Sequence, residues 1–308
     1  MFHIFYKRMN NIKTIFSIKD LEHLTGIKAH TIRIWEKRYQ LLEPERTDTN
    51  IRFYNLDHLK KLLNISFLNN NGHKISKIAS LSTQDIHLQV RELASKGHLE
   101  NHAINTFKLA MLDFDQELFN KTYNALIKTK SLSEVFYELF LPLLSEIGTL
   151  WQTDTITPAH EHFISSLIRQ KILINTEMLQ AQNEIEHNNA FVLFLPDNEI
   201  HEIGLMFVHY KLVAKGHRSI FLGSSVPISS LTDILPYYKD ITFLSYFTIK
   251  PVKEELASYL AEFESELLNG NNNQLWVLGQ MTQYIDSQNL PTSITTFKTI
   301  GNLVATIS

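Results

Sequence analysis

The residues best suited to ligand chemistry lie close together in the second half of the sequence: Glu199, His201 and Gly204. They follow an apolar run at 190–195 that a proline closes. A short apolar run ended by a breaker predicts a buried parallel strand, and the residues at 205–215 predict a helix after it. His201 is therefore expected on the loop at the carboxyl end of a strand, where open α/β sheets bind ligands.

The chemistry expected of His201 is metal ligation. Imidazole is a borderline-soft nitrogen ligand that suits cobalt, iron, copper and zinc. The carboxylate of Glu199 could accept a hydrogen bond from the other ring nitrogen and so fix the tautomer. A single histidine in such a loop is more often an ordinary surface or capping residue, so the interpretation depends on the rest of the sequence.

The spacing of this segment resembles the cobalamin-binding pattern Asp/Glu-x-His-x-x-Gly, which is followed by a serine and later by a Gly-Gly pair. Ser245 stands at the expected distance, and Gly279 supplies one glycine of the pair. The resemblance implies that His201 is the lower axial ligand of cobalt and that the cofactor's benzimidazole lies beside Ser245 and Gly279. Further contacts are expected from loops that follow the strands: Glu199, Gly204, Ser224, Ser225, Val226 and Thr248. For the two serines in the loop after the second strand, simple loop composition is the alternative.

Length and composition limit the classes of protein. A chain of 308 residues is too long for one core of ordinary size, so two or three domains are expected. The absence of cysteine excludes disulfides, thiolate metal sites and cysteine nucleophiles. No apolar run reaches membrane-spanning length, and the first residues lack the order of a signal peptide. A cytoplasmic protein with no membrane partner is expected.

The net charge of −3 hides an asymmetry. Residues 1–80 carry 14 Lys and Arg against 7 Asp and Glu, whereas the remainder carries 15 against 25. A basic first domain on an acidic remainder indicates that one end of the chain meets a polyanion. A chance imbalance is the alternative.

The basic domain has the pattern of a helix-turn-helix. Ser17 and Asp20 form a capping box, Gly26 breaks the first helix, and a second helix is predicted over 28–39. Polar and basic side chains of the second helix are predicted to face a major groove: His30, Thr31, Arg33, Lys37 and Arg38.

A β-hairpin wing is predicted next. Turn residues at 48–50 separate two short extended segments, and a third helix is predicted over 56–68. Arg46, Arg52 and Tyr54 are expected to contact phosphates.

Residues 16–82 closely resemble the MerR family of winged-helix regulators, in order, spacing and residue type. The segments that carry the resemblance are 17–26, 31–39 and 46–54. It implies binding to double-stranded promoter or operator DNA. A small helical domain with solvated basic faces is the alternative. No sustained heptad follows Ser82, so dimerisation is expected to come from elsewhere or to require a ligand.

Residues 83–187 contain only helix-length segments and predict a helical bundle. Within it, Trp151, Glu161 and His162 resemble the cap of the CarH/LitR group of adenosylcobalamin-dependent photoreceptor regulators, where such residues line the adenosyl pocket. Without that resemblance, a core tryptophan and an exposed helix start are the alternative. Gln152 stands where those photoreceptors have a histidine that ligates cobalt after light has removed the adenosyl group, and an amide is a poorer ligand than imidazole.

Residues 188–308 alternate strand and helix signals. The predicted strands lie at 191–195, 219–222, 242–247, 275–278 and 294–297. This alternation is typical of a flavodoxin-like, doubly wound parallel sheet.

Together these features predict a multidomain, non-enzymatic transcriptional regulator. Its expected domains are a MerR-type winged helix at 1–82, a helical-bundle cap at 83–187 and a Rossmann-like cobalamin-binding domain at 188–308. The resemblance implies a homo-oligomeric repressor, dimer or tetramer, whose oligomerisation and DNA binding respond to adenosylcobalamin and to light. One alternative is a MerR-type regulator with a cofactor-free oligomerisation domain. The other, a cobalamin carrier module of a methyltransferase or mutase, leaves the winged helix unexplained.

Overall fold

The structure is a computed structural model that describes residues 15–47, 49–95, 99–181, 189–286 and 289–307. The chain divides into two compact units, Met1–Leu167 and Ile168–Ser308. The first unit holds the winged helix and most of the helical region, and the second holds a parallel sheet. The predicted fold class is confirmed in each part.

The winged helix has three helices and a two-stranded wing among the described residues: α1 (Ile18–Thr25), α2 (Ala29–Tyr39), β1 (Glu45–Arg46), β2 (Arg52–Phe53) and α3 (Leu56–Asn70). The predicted capping box is present, since Ser17 Oγ accepts from the Asp20 backbone N–H and the Asp20 carboxylate accepts from that of Ser17. Gly26 ends α1 with a φ of 74°, a conformation that glycine adopts without strain. Asp48, in the predicted turn, lies outside the described residues.

The helical region comprises α4 (Ile75–Ile78), α5 (Thr83–Ser95), α6 (Leu99–Asp113), α7 (Gln116–Leu126), α8 (Leu132–Val135), α9 (Leu141–Gln152) and α10 (Pro158–Gln180). A π-helical turn at Phe136–Phe140 lies between α8 and α9. Pro142 follows that turn and has no N–H to donate, which explains why the regular ladder of hydrogen bonds shifts there.

The second unit is built on a parallel sheet of β3 (Asn189–Phe194), β4 (Ser219–Gly223), β5 (Asp240–Tyr246), β6 (Gln274–Leu278) and β7 (Ile294–Phe297). Its order is β4-β3-β5-β6-β7, with every neighbouring pair parallel. This is the flavodoxin-like order, and each strand lies within two residues of its predicted bounds.

Helices cover both faces of the sheet: α11 (Ile203–Ala214), α12 (Ile228–Leu231), α13 (Leu256–Phe263) and α14 (Ile300–Thr306). α12 is short, and a 3₁₀ segment at Thr232–Tyr237 follows it because Pro236 does not continue an α-helix. On the α12 and α13 face, the rings of Phe194 and Phe263 stack with their centroids 5.7 Å apart. No helix among the described residues is both long enough and apolar enough to cross a membrane.

The strand order places the ligand crevice. The chain runs from β3 to β4 on one side and then returns to β5 on the other side of β3. Where the order reverses in this way, the loops at the carboxyl ends of the strands diverge and leave a crevice. The loop after β3, which carries His201, therefore faces the loop after β5.

Candidate ligand site and nucleic-acid interface

Glu199 is the anchor of the loop that follows β3. It is fully buried, and its Oε1 atom accepts hydrogen bonds from the backbone N–H groups of Ile200 (2.9 Å) and His201 (3.0 Å). The same oxygen lies 2.5 Å from Nδ1 of the His201 ring. The partner predicted for His201 is therefore in place.

The second oxygen of Glu199 reaches the loop after β5. Its Oε2 atom accepts from three consecutive backbone N–H groups, of Thr248 (3.2 Å), Ile249 (2.7 Å) and Lys250 (3.0 Å). One carboxylate thus joins the two loops that border the crevice, so the orientation of the His201 ring is coupled to the position of the β5 loop.

The Glu199 carboxylate is held in its charged form. Burial by itself would raise its pKa, but hydrogen bonds from the His201 ring and from the backbone of Ile249, Lys250 and His201 outweigh burial and lower the pKa from 4.5 to about 2. A charged carboxylate accepts from Nδ1–H, which places the ring's lone pair on Nε2, the nitrogen a metal would bind. The His201 side chain is 49% exposed, so the ring extends from the buried anchor into solvent.

Two glycines allow close packing around the end of β5. Gly279 has a φ of 113°, and a Cβ atom there would lie 2.4 Å from the carbonyl oxygen of Phe247. At Gly204 a Cβ atom would lie 2.7 Å from Cε2 of the Tyr246 ring. Both predicted positions therefore need glycine in this structure, because the neighbouring chain or ring occupies the space of a side chain.

The other predicted cofactor contacts lie on the same edge of the sheet with different surroundings. Ser245 is fully buried, and its hydroxyl donates to the carbonyl of Phe194 (2.9 Å). Ser225 accepts from the Asn198 backbone at 3.1 Å, whereas Ser224 is exposed. Val226 packs against the apolar core. Thr248 Oγ1 is buried and has no hydrogen-bond partner among the described residues.

These residues fit a cobalt corrinoid. His201 offers a single imidazole nitrogen with a buried carboxylate behind it, and a metal held by one imidazole must bring its other ligands, as cobalt in a corrin ring does. The unpaired Thr248 hydroxyl and the close-packed Gly279 lie beside the same crevice.

The predicted cap residues lie where the first unit meets solvent. Trp151, at the end of α9, is 54% exposed, so the alternative of a core tryptophan is wrong. On the first turns of α10, Glu161 lies 2.8 Å from Nδ1 of His162 and also accepts from Ser165 at 2.8 Å. The side chain of Gln152 lies outside the described residues. An exposed indole and a carboxylate–imidazole pair are thus available to contact a ligand.

The recognition helix α2 presents its predicted face to solvent. His30, Arg33, Lys37 and Arg38 are exposed, and Thr31 is half-buried. The opposite face is fixed in the core by Ile32 and Trp35, which are buried. The basic residues can therefore approach a major groove without rearrangement of the helix.

The prediction that Tyr54 contacts phosphate does not fit the structure. Tyr54 is fully buried, and its hydroxyl donates to Oε1 of Glu36 at 2.5 Å. Burial, reinforced by this carboxylate, raises the pKa of Tyr54. The backbone bridge between Phe16 and Tyr54 turns the side chain inward, and the hydroxyl is used inside the domain.

Glu36 joins the recognition helix to the wing, a role that the sequence analysis missed. Its side chain is 8% exposed; it accepts from Tyr54 and pairs with Nε of Arg52 at 3.3 Å. Arg46 is exposed and donates to the Asn50 side chain at 2.6 Å, so it remains at the wing surface. The only sequence signal was an acidic residue within a basic helix, which is too common to assign a role.

Comparison with known families decides the class of protein. The family described as "MerR HTH family regulatory protein" matches residues 16–84. The family described as "B12 binding domain" matches residues 103–174, the segment that carries Trp151, Glu161 and His162. The chain thus carries a MerR-type HTH domain and a segment that matches a B12-binding domain. The MerR domain supplies the winged helix, and the match to the B12-binding domain begins in α6.

Two transcriptional repressors match most of the chain. The HTH-type transcriptional repressor CarH of Myxococcus xanthus is 29% identical over 223 residues, which cover 70% of this chain and 73% of the relative. The HTH-type transcriptional repressor CarA of the same organism is 26% identical over 257 residues, 80% of this chain and 81% of the relative. Both are named as repressors and not as enzymes, which agrees with the expected non-enzymatic class.

A solved structure supports the fold of the B12-binding half. The monomethylamine corrinoid protein of Methanosarcina barkeri superposes with a TM-score of 0.55 at 12% identity, over 67% of this chain and 97% of that chain. At this identity the likeness concerns the fold alone. It confirms the predicted helical region followed by a parallel sheet.

Proposed function

We propose that this chain is a transcriptional repressor that binds operator DNA through its MerR domain and adenosylcobalamin through His201. The observation that carries the proposal is the Glu199–His201 pair, in which a buried, charged carboxylate holds an imidazole at the crevice of the sheet. The proposal is supported by the presence, on the same chain, of an exposed basic recognition helix. A cobalamin carrier module of an enzyme would not require a DNA-recognition helix.

The protein's own residues would do three things around the cofactor. His201 would supply an imidazole nitrogen to cobalt, and Glu199 would hold the tautomer and orientation of the ring. On the first unit, Trp151, Glu161 and His162 would contact the adenosyl group of the cofactor. Adenosylcobalamin, when bound, supplies a cobalt–carbon bond that light can break, so the same site would make DNA binding light-sensitive.

DNA binding is proposed to depend on oligomerisation. Arg33 and its neighbours on α2 would read base edges, and Arg46 and Arg52 would contact phosphates. Dimers or tetramers would place winged helices on neighbouring half-sites and raise affinity through multivalency. As a DNA-binding regulator, the protein would act in the cytoplasm.

The test is cofactor retention in the dark. Purified protein is mixed with adenosylcobalamin, separated by gel filtration, and its absorption spectrum is recorded beside that of His201→Ala. We expect a coloured complex with a spectrum of histidine ligation, lost or altered in the variant. His217→Ala is the matched control, since His217 lines a cavity at the opposite, amino-terminal edge of the strands.

A second candidate, a MerR-type regulator with a cofactor-free second half, is favoured by two observations. The Tyr246 ring lies against Gly204, and the Ser245 hydroxyl is already bonded to Phe194. If the protein retains no corrinoid while it still binds operator DNA as an oligomer, this candidate replaces the first.

A further inference from the structure

The winged helix is tied by polar contacts to the helical region within the first unit. Nδ1 of His23, on α1, lies 3.1 Å from the hydroxyl of Thr155, a residue 132 positions later in the chain. Thr155 is fully buried. It lies on the loop that joins the end of α9, where Trp151 is, to the start of α10, where Glu161 and His162 are. The loop between the candidate cap residues therefore rests directly on the DNA-binding domain.

Hydrogen bonds within this loop and to the adjoining helix ends hold it in place. The backbone N–H of Thr155 donates to the carbonyl of Leu150 (2.9 Å), and its hydroxyl lies 2.9 Å from that of Thr153. Asp154, between them, has a φ of 54°, in the left-handed region. At the end of the loop the hydroxyl of Thr157 lies 2.8 Å from Nδ1 of His160. A displacement of either helix end would thus move Thr155.

A second contact holds the end of α1. Lys108, on α6, is 6% exposed; its ammonium donates to the carbonyl of Leu24 at 3.4 Å and pairs with Glu146 on α9. A buried ammonium is stable only when such partners remain in place. Lys108 therefore fixes the last turn of α1 to the helix that ends near Trp151.

From α1 the connection continues to the recognition helix. Glu22, next to His23, accepts a hydrogen bond at 3.0 Å from the backbone N–H of Ala29, the first residue of α2. This hydrogen bond is the largest cause of a lowered pKa of Glu22, and a hydrogen bond from the Lys28 side chain is the next. A shift of α1 would be passed to the start of α2, the helix that carries Arg33.

We infer that Thr155 and Lys108 are positioning residues that couple the cap of the B12-binding domain to the MerR domain. A cofactor in contact with Trp151, Glu161 and His162 would set the position of Thr155. Through Thr155 it would also set the positions of α1 and of the recognition helix. The inference rests on the proposed function, because it assigns the route by which cofactor binding reaches DNA. It does not assign either residue a contact with cofactor or DNA.

The experiment compares Thr155→Val with Thr155→Ser in the full-length protein. Operator affinity is measured in the dark with and without adenosylcobalamin, and cofactor retention is measured separately by absorption. We expect Thr155→Val to retain cofactor but to reduce the ratio of the two affinities by about fivefold or more, the scale of a typical coupling between sites. Thr155→Ser keeps the hydroxyl and should keep the wild-type ratio.

Controls separate coupling from folding. Thr149→Val makes the same change at an exposed position of α9 and should leave the ratio unchanged. His23→Ala removes the other partner from the side of the MerR domain, so it should reproduce Thr155→Val, and the double variant should add little more. His23→Ala also serves if Thr155→Val does not fold.

The outcomes are distinguishable. If wild-type protein retains no cofactor, the proposed function fails and the inference fails with it. If cofactor is retained and changes DNA affinity, but Thr155→Val and His23→Ala both keep the wild-type ratio, the inference is overturned and the proposed function stands.

Discussion

Glu199 and His201 form a pair in which one buried carboxylate oxygen lies 2.5 Å from Nδ1 of the ring. The other oxygen of that carboxylate is bonded to three backbone N–H groups in the loop after β5. A ligand bound to His201 is therefore linked, through Glu199, to the loop after a second strand of the sheet, β5. The cofactor chemistry proposed for this chain depends on that pair.

Glu199→Gln should weaken cobalamin binding by about ten- to hundredfold, the usual cost of losing a partner behind a metal-bound histidine. The neutral amide would also turn an NH₂ group toward N–H donors of either the His201 ring or the loop after β5. An NH₂ group cannot accept those hydrogen bonds. Equilibrium dialysis in the dark measures the change. Glu202→Gln, in the same loop but paired with Arg169, is the matched control and should bind nearly as the wild type does. Wild-type affinity in Glu199→Gln would contradict a supporting role for the carboxylate.

Tyr54→Phe should lower the free energy of unfolding by about 1–2 kcal/mol, because it leaves the buried Glu36 without one hydrogen bond. It should not change the dependence of DNA binding on salt, since the hydroxyl does not reach phosphate. Arg46→Ala, at the exposed wing, should reduce the slope of log affinity against log salt by about one unit. A reduced slope in Tyr54→Phe would restore the phosphate contact first expected for it.

The stability of the second unit should depend on pH through His209. This side chain is 9% exposed, lies 2.7 Å from the Ser219 hydroxyl, and has its pKa lowered by burial from 6.5 to about 4. Between these values the unfolded chain binds a proton that the folded chain does not, so stability falls as pH falls, by about 3 kcal/mol at most. His209→Gln should flatten urea-unfolding midpoints across this range. An unchanged pH dependence in the variant would assign the effect to other groups.

Gly279→Ala should cost more stability than Gly270→Ala. Both glycines have positive φ, but a Cβ atom at Gly279 would lie 2.4 Å from the Phe247 carbonyl oxygen, whereas nothing lies within 4 Å at Gly270. The strained backbone costs about 1–2 kcal/mol at Gly270 and about 1–3 kcal/mol at Gly279, and overpacking adds about 1–3 kcal/mol at Gly279. Urea denaturation measures both. Equal losses of stability in the two variants would show that the loop after β6 makes room for the Cβ atom at no cost in free energy.

The sequence predicted what depends on local pattern. The predicted bounds of the strands lie within two residues of the observed ones. Short apolar runs between residues that break regular structure allow few other assignments. The capping box at Ser17 was predicted because it depends only on residues that are close in sequence. Glu199 was predicted as the partner of His201 because the two are neighbours in the chain.

What the sequence could not predict depends on contacts between distant residues. The three N–H groups that Glu199 binds lie some fifty positions away, and the hydroxyl that His23 meets lies 132 positions away. Tyr54 was assigned outward because a two-residue strand has no periodicity from which to read its faces. Its inward direction is set by pairing with Phe16, which no pattern in either segment reveals.

The most direct test of the account is the origin of the lower nitrogen ligand of cobalt. Protein labelled with ¹⁵N-histidine is loaded with cobalamin, converted to the cobalt(II) form, and examined by electron paramagnetic resonance. We expect the splitting from the axial nitrogen to change from triplets to doublets on labelling, and to be lost in His201→Ala. Splitting that is unaffected by the label would mean that the nitrogen comes from the cofactor's own benzimidazole, and would contradict ligation by His201.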